Sequence, residues 1–160
     1  MRTRIISAFP GTGKSHYHKK HPITTLDSDS IKFSWVDKEG KKERNPDFPN
    51  NYIKHIKENI GKYEFIFVSS HKEVRKALLD NCIFFYLIYP SYKSKESYIK
   101  RYIDRGSPDA FIELLNANFD TWIKECSFEE YGCSNISMNC CKYLDKELLH
   151  IIRSENGNSL

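Results

Sequence analysis

Ala8-Phe9-Pro10-Gly11-Thr12-Gly13-Lys14-Ser15 is the stretch whose residue types and spacing are most suited to chemistry. It fits G-x-x-x-x-G-K-[ST] at every fixed position but the first, where Ala8 stands in place of glycine. Small residues let successive backbone N–H groups curl around phosphate oxygens, and the partial positive charge of a following helix N-terminus favours the same anions. Lys14 is expected to reach the β- and γ-phosphates of a nucleotide, and the Ser15 hydroxyl to ligate Mg²⁺. Pro10, Gly11, Thr12 and Gly13 supply the rest of the cradle. Ala8 costs little there, because a methyl group is tolerated wherever φ is not positive.

Further along, Asp27-Ser28-Asp29 holds two carboxylates that point the same way if the segment is extended, so both can share one site. Phosphoryl transfer to an alcohol needs such groups, one as a base and one to hold Mg²⁺ against the phosphates. Arg101 and Arg105 lie four apart and therefore on one face of a helix. Cys126, Cys133, Cys140 and Cys141 crowd the C-terminal third, but their spacing lacks the C-x2-C knuckle of a zinc site. Free or buried thiols are expected instead, and the odd total of five cysteines argues for a reducing compartment.

These groups need elements to position them. Residues 3–7 carry two adjacent isoleucines and read as a buried strand ending in the Gly-rich turn, with a helix over 14–20 stopped by Pro22 and a second strand over 23–26. From 33 to 49 the composition turns to charge, Gly and Pro, which reads as a loop. A helix is expected over 51–60 with Gly61 as its C-terminal cap, a strand over 65–68, a helix over 72–80 and the strongest strand over 83–89, stopped by Pro90. Helices over 94–105 and 108–125 follow, separated by Gly106; Asn118 interrupts the apolar face of the second. A short strand over 136–138, a helix over 144–153 and a frayed tail over 154–160 complete the chain. Strands alternating with helices imply an α/β fold with a parallel sheet covered on both faces and the ligand at its C-terminal edge.

With the cradle, Asp27-Ser28-Asp29, the Ser69-Ser70-His71 turn with Arg75, and the Arg101/Arg105 pair in place, the chain resembles the small P-loop kinases of the nucleoside-monophosphate-kinase superfamily. Within it the likeness is to the branch with a D-x-D pair after the second strand, such as gluconate, shikimate and adenylylsulfate kinases. The resemblance runs from Arg4 to about Arg153 and implies a three-layer P-loop fold over 1–160. Its five parallel strands would have the order 2-3-1-4-5, with an acceptor-binding cap near 32–60 and a helical lid near 93–125. It implies that Asp27 orders Mg²⁺ and that Asp29 takes the proton of a substrate hydroxyl. Ser69 matches the branch where many P-loop proteins have an acidic residue, and Arg75 resembles a substrate-phosphate or carboxylate contact. The lid arginines, Arg101 and Arg105, would close over the donor phosphates together with Lys14. Lys32, Arg44 and Trp35 fall in the cap, where the cations can hold an acceptor phosphate and the indole can stack on a base. The expected cofactors are ATP and Mg²⁺.

The remaining properties narrow the function further. At 160 residues the chain is about one domain long and buries enough surface to fold without disulfides or metal. Its 39% hydrophobic and 14% aromatic content excludes general disorder, and no apolar run approaches the ~20 residues that span a bilayer. Ser7 and Pro10 break the N-terminal apolar stretch too early for a secretory signal, so a soluble, cytoplasmic protein is expected, as a monomer or homodimer. A net charge of +4 suits anionic small molecules and does not demand nucleic acid. The leading expectation is a kinase acting on a nucleoside, nucleotide or similar small polar metabolite. A polynucleotide 5′-hydroxyl kinase is the nearest rival, disfavoured by the lack of a long basic tract. A nucleotide-binding regulator or slow ATPase, and a zinc-stabilised binding module, are the alternatives of other classes.

Overall fold

A computed structural model describes residues 1–128, 131–139 and 143–157. The paired isoleucines form β1 (Arg4–Ala8), all five residues of which are buried, as a strand covered on both faces requires. Phe65-Ile66-Phe67-Val68 does the same as β5 (Phe65–Val68), and the run ending at Pro90 forms β6 (Phe85–Pro90). With β2 (Thr25–Asp27) and β7 (Cys133–Met138) they make a five-stranded sheet, parallel throughout, in the order β2-β5-β1-β6-β7. Ile5 lies opposite Ile66, and Ser7 opposite both Val68 and Leu87, so the C-terminal ends of the central strands come level.

Alternation along these strands sends side chains to two separate cores. Ile5, Ile66, Val68, Phe85 and Leu87 pack beneath α3 (Asn50–Asn59), α4 (Lys72–Asp80), α5 (Lys95–Asp104) and α6 (Asp109–Ser127). Ile6, Ala8, Phe65, Phe67 and Ile88 face the other way, against α7 (Leu144–Gly157) and Tyr17 of α1 (Lys14–Lys20). The helices α3 and α4 bury most of the stripe their spacing implied, Tyr52, Ile53 and Ile56 on α3 and Val74, Ala77 and Leu78 on α4. By contrast α6 buries Leu115, Phe119, Ile123 and Cys126 and leaves Leu114 half-exposed. No helix among the described residues is long and apolar enough to cross a membrane.

Three expectations need correction. Residues 33–49 are not a plain loop. After the short helix α2 (Ile31–Ser34), the chain makes an antiparallel hairpin of β3 (Trp35–Lys38) and β4 (Lys41–Arg44). Its turn puts Glu39 and Gly40 at φ of 54° and 79°, and the Asp37 carboxylate accepts the Gly40 N–H at 2.9 Å. Turn chemistry thus builds strands where almost no apolar residue marks them. The tail is not frayed from Ser154, because α7 runs to Gly157 and Glu155 is held by Arg4 and Tyr86; 158–160 lie outside the described residues. The last strand spans Cys133–Met138 and not merely 136–138, since it pairs with β6 along its whole length.

Asn118 resolves its odd polarity by donating to the Leu114 carbonyl at 2.9 Å. Cys126 is buried and Cys133 half-buried, and among the described residues no three His, Cys, Asp or Glu side chains converge on a metal; Cys140 and Cys141 lie outside them.

Candidate active site

The chain leaves β1 at the centre of the sheet and turns sharply into α1. Phe9 N–H bonds the Ile88 carbonyl at 2.8 Å, and Thr12 returns to the Phe9 carbonyl through both its N–H at 3.3 Å and its hydroxyl at 2.8 Å. Gly11 and Gly13 take φ of 84° and 108°, conformations that a Cβ would strain. Tyr102 and Tyr98 crowd Gly11 as well, at 3.1 and 3.3 Å from where that Cβ would stand. Gly13 begins α1 with no side-chain cap, so the first helical N–H groups carry their dipole toward the turn.

Lys14 folds back over the turn, its Nζ donating to the Ala8 carbonyl at 2.5 Å and reaching the Phe9 carbonyl at 3.4 Å. Burial pushes its ammonium down to about 8; Asp27 and Asp29 oppose that, and Arg105 adds to it. The same four groups therefore share one field. Ser15 Oγ donates to Asp27 Oδ2 at 2.6 Å, which joins the two expected metal-holding groups directly. Asp29 lies two residues past the end of β2, exposed, with its Oδ1 accepting the Ile31 N–H at 3.0 Å.

On the opposite side Arg101 of α5 donates to the Gly11 carbonyl at 3.1 Å, and its guanidinium lies 4.5 Å from the ring centres of both Tyr98 and Tyr143. Arg105, at the end of the same helix, lies over Tyr102 at 5.5 Å. Gly11, Gly13, Lys14, Ser15 and Arg105 line one open cavity of about 270 Å³ with His16 and Lys19. Ser69 follows β5, its carbonyl accepting the Ser7 hydroxyl at 3.2 Å. Arg75 is 3% exposed and donates to the Ser70 carbonyl, so it is neither a solvated surface residue nor part of the cradle itself.

Thus Lys14, Ser15, Asp27, Asp29, Arg101 and Arg105 gather at the C-terminal sheet edge, with Ser69 beside them. Lys32 and Trp35 do not join that cluster. Lys32 is exposed on α2, and Trp35 sits on the hairpin with its ring 5.8 Å from the Arg44 guanidinium. Arg44 is itself engaged by the Glu73 carboxylate and stacked 4.7 Å over Phe48.

Two contributors escaped the sequence reading. The Tyr52 hydroxyl donates to the Ser28 carbonyl at 2.6 Å and accepts the Ser69 N–H at 3.4 Å, bracing the aspartate turn against β5. Its helical spacing marked it only as core, and burial pushes its phenol up to about 12, so it remains a donor at neutral pH. Tyr143, just before α7, gave no signal at all. A scan of protein-family models and a search of curated proteins each return no match for this chain.

Proposed function

We propose that the protein is an ATP- and Mg²⁺-dependent phosphotransferase that acts on a small nucleoside, nucleotide or similar polar metabolite. The observation that carries the reading is the Ser15–Asp27 contact at 2.6 Å, formed beside Lys14 and Asp29 at the end of a glycine-turned cradle. A hydroxyl and a carboxylate brought together are the hard oxygen donors that Mg²⁺ accepts, with water completing its shell. Bound there, the ion would neutralise charge on the donor phosphates. Counted along the chain without the hairpin, the parallel strands follow 2-3-1-4-5, which supports the resemblance to P-loop kinases.

On this reading the cradle N–H groups and Lys14 hold the donor, while Arg101 and Arg105 meet the transferring phosphoryl group. The acceptor hydroxyl oxygen forms a bond to the γ-phosphorus as the bond from that phosphorus to the β–γ bridging oxygen breaks. ADP leaves with the electron pair, and the hydroxyl proton passes to Asp29. Incubation with γ-labelled ATP and a panel of nucleosides, nucleotides and sugar acids tests the scheme. Label should move to one acceptor class, require Mg²⁺, and vanish in Lys14→Ala. Asp29→Asn should depress kcat with ATP binding retained, whereas Asp27→Asn should change the Mg²⁺ requirement. Hydrolysis that no acceptor stimulates would favour a regulator or slow ATPase instead.

A further inference from the structure

Beside the cradle, a second cavity of about 460 Å³ opens between the start of α4 and α6. That volume falls within the ~300–1,000 Å³ of small-molecule sites. One part of its wall is aromatic, from Phe9, Phe111 and Trp122, with Phe9 and Trp122 ring centres 6.4 Å apart. Ser70, His71, Lys72 and Arg75 form a polar part, and Glu125 is the one carboxylate among the described lining residues. The cavity adjoins the chemistry. Phe9 and Pro10 open the cradle; burial pushes the His71 imidazole down, the charges of Lys14, Arg44 and Arg75 add to that, and Asp29 opposes it.

These walls select among the acceptors that a kinase of this size could take. A polyhydroxylated sugar acid presents hydroxyls around its whole carbon chain and would leave several of them unpaired against Phe9, Phe111, Leu114 and Trp122. A flat heterocycle buries its faces on such rings and keeps its polar atoms at its edge. Glu125 can only accept hydrogen bonds when ionised. It therefore favours a base edge carrying adjacent N–H donors, of which guanine offers two. Uracil and thymine set a single N–H between two carbonyl oxygens, which a carboxylate repels. Arg75, buried in the same wall, donates to the Ser70 carbonyl and helps fix the polar part of the pocket.

We propose that the cavity between α4 and α6 is the base pocket of the acceptor, taking a nucleoside or nucleotide with an amino-bearing base, guanine foremost, and that Glu125 reads the base edge. The term acceptor rests on the kinase reading; binding of the base does not. The only tryptophans are Trp35 and Trp122, so each can be made the sole reporter. In the full-length Trp35→Phe protein without ATP, guanosine and its 5′-monophosphate should quench Trp122 emission saturably. Binding should be about tenfold tighter than for uridine and its 5′-monophosphate. That preference should collapse in Glu125→Gln, whose amide offers a donor as well as an acceptor. Comparing nucleoside with monophosphate then shows which form the site holds.

The complementary Trp122→Phe protein should report little change from Trp35. Quenching confined to Trp35, absence of saturable quenching at millimolar ligand, or an unchanged base preference in Glu125→Gln would each overturn the proposal. Label transfer without Trp122 quenching would overturn it while leaving the kinase reading intact. Quenching without label transfer would uphold the pocket and remove that reading.

Discussion

Lys14 is held in a state that its proposed ligand would change. Without phosphates it leans on the Ala8 and Phe9 carbonyls, and burial lowers its proton affinity to about 8 despite Asp27 and Asp29. Phosphate oxygens favour the charged ammonium, so binding must take up a proton once the solution pH exceeds the free-state value. Affinity for Mg²⁺-ATP should be flat below about pH 8 and then fall by about tenfold per unit. Calorimetry in buffers of different ionisation enthalpy should detect the uptake, and Lys14→Arg, permanently charged, should abolish it; a flat profile to pH 10 would mean that Lys14 does not meet the phosphates. The same depression acts on stability in the opposite direction. The unfolded chain binds more protons between about 8 and 10.5, so this group's share of stability rises with pH across that window. At this scale the sequence was most readable where the chemistry is local. Lys14, Ser15 and the aspartate pair stand within 15 residues of one another, whereas Tyr52 is brought to Ser28 across 24 residues and Tyr143 to Arg101 by the return of α7.

Between the residue and the whole stand α5, α6 and the hairpin. Tyr98 and Tyr102 bury one edge of α5 against Gly11, and Arg101 is fixed by the Gly11 carbonyl and two rings. Gly106 at φ 68°, followed by Ser107 and Pro108, separates α5 from α6 and supplies a place where the pair can pivot. If the guanidinium acts in the transition state, Arg101→Ala should lower kcat by about 10²–10³-fold with a smaller change in ATP affinity. Arg101→Lys should recover little, because the stacked planar fork is lost. Tyr143→Ala removes one of the two rings without removing the charge, and should cost less than Arg101→Ala. A kcat unchanged from the parent protein in all three would leave Arg101 as packing alone, which steady-state kinetics decides. These helices were legible because a 3.6-residue apolar stripe survives any sheet order. The hairpin was not, since Lys38, Lys41, Lys42, Glu43 and Arg44 carry no apolar alternation and only Asp37 through Gly40 encode its turn.

Across the whole molecule, α7 ties together points that the chain order keeps apart. At its start the Leu144 N–H bonds the Thr12 carbonyl of the cradle at 3.2 Å, and near its end Glu155 accepts from Arg4 at 2.8 Å and from the Tyr86 hydroxyl at 2.5 Å. Between them Leu144, Leu148 and Ile151 cover the second face of the sheet. Arg4 and Glu155 are 9% and 10% exposed, so the pair is shielded from solvent. Burial opposes ionisation of Glu155, yet Tyr86, Arg4 and Arg2 outweigh it and hold the carboxyl below its ordinary value. A folded-state value so lowered contributes stability above the ordinary carboxylate range, and that share fades as pH falls through it. Ending the chain at Arg153 leaves Arg4 with Glu64 at 3.3 Å, itself 34% exposed, as the remaining carboxylate partner. Losing the shielded partner and keeping only this partly exposed one weakens the clasp, so the truncated protein should melt below one ending at Gly157. Urea unfolding at pH 7 should place Glu155→Gln between the two, and its deficit should shrink on acidification because the native carboxyl then loses its charge as well. Coincident melts for the chains ending at Arg153 and Gly157 would reduce the clasp to a surface contact and leave the apolar stripe of α7 to hold that face alone.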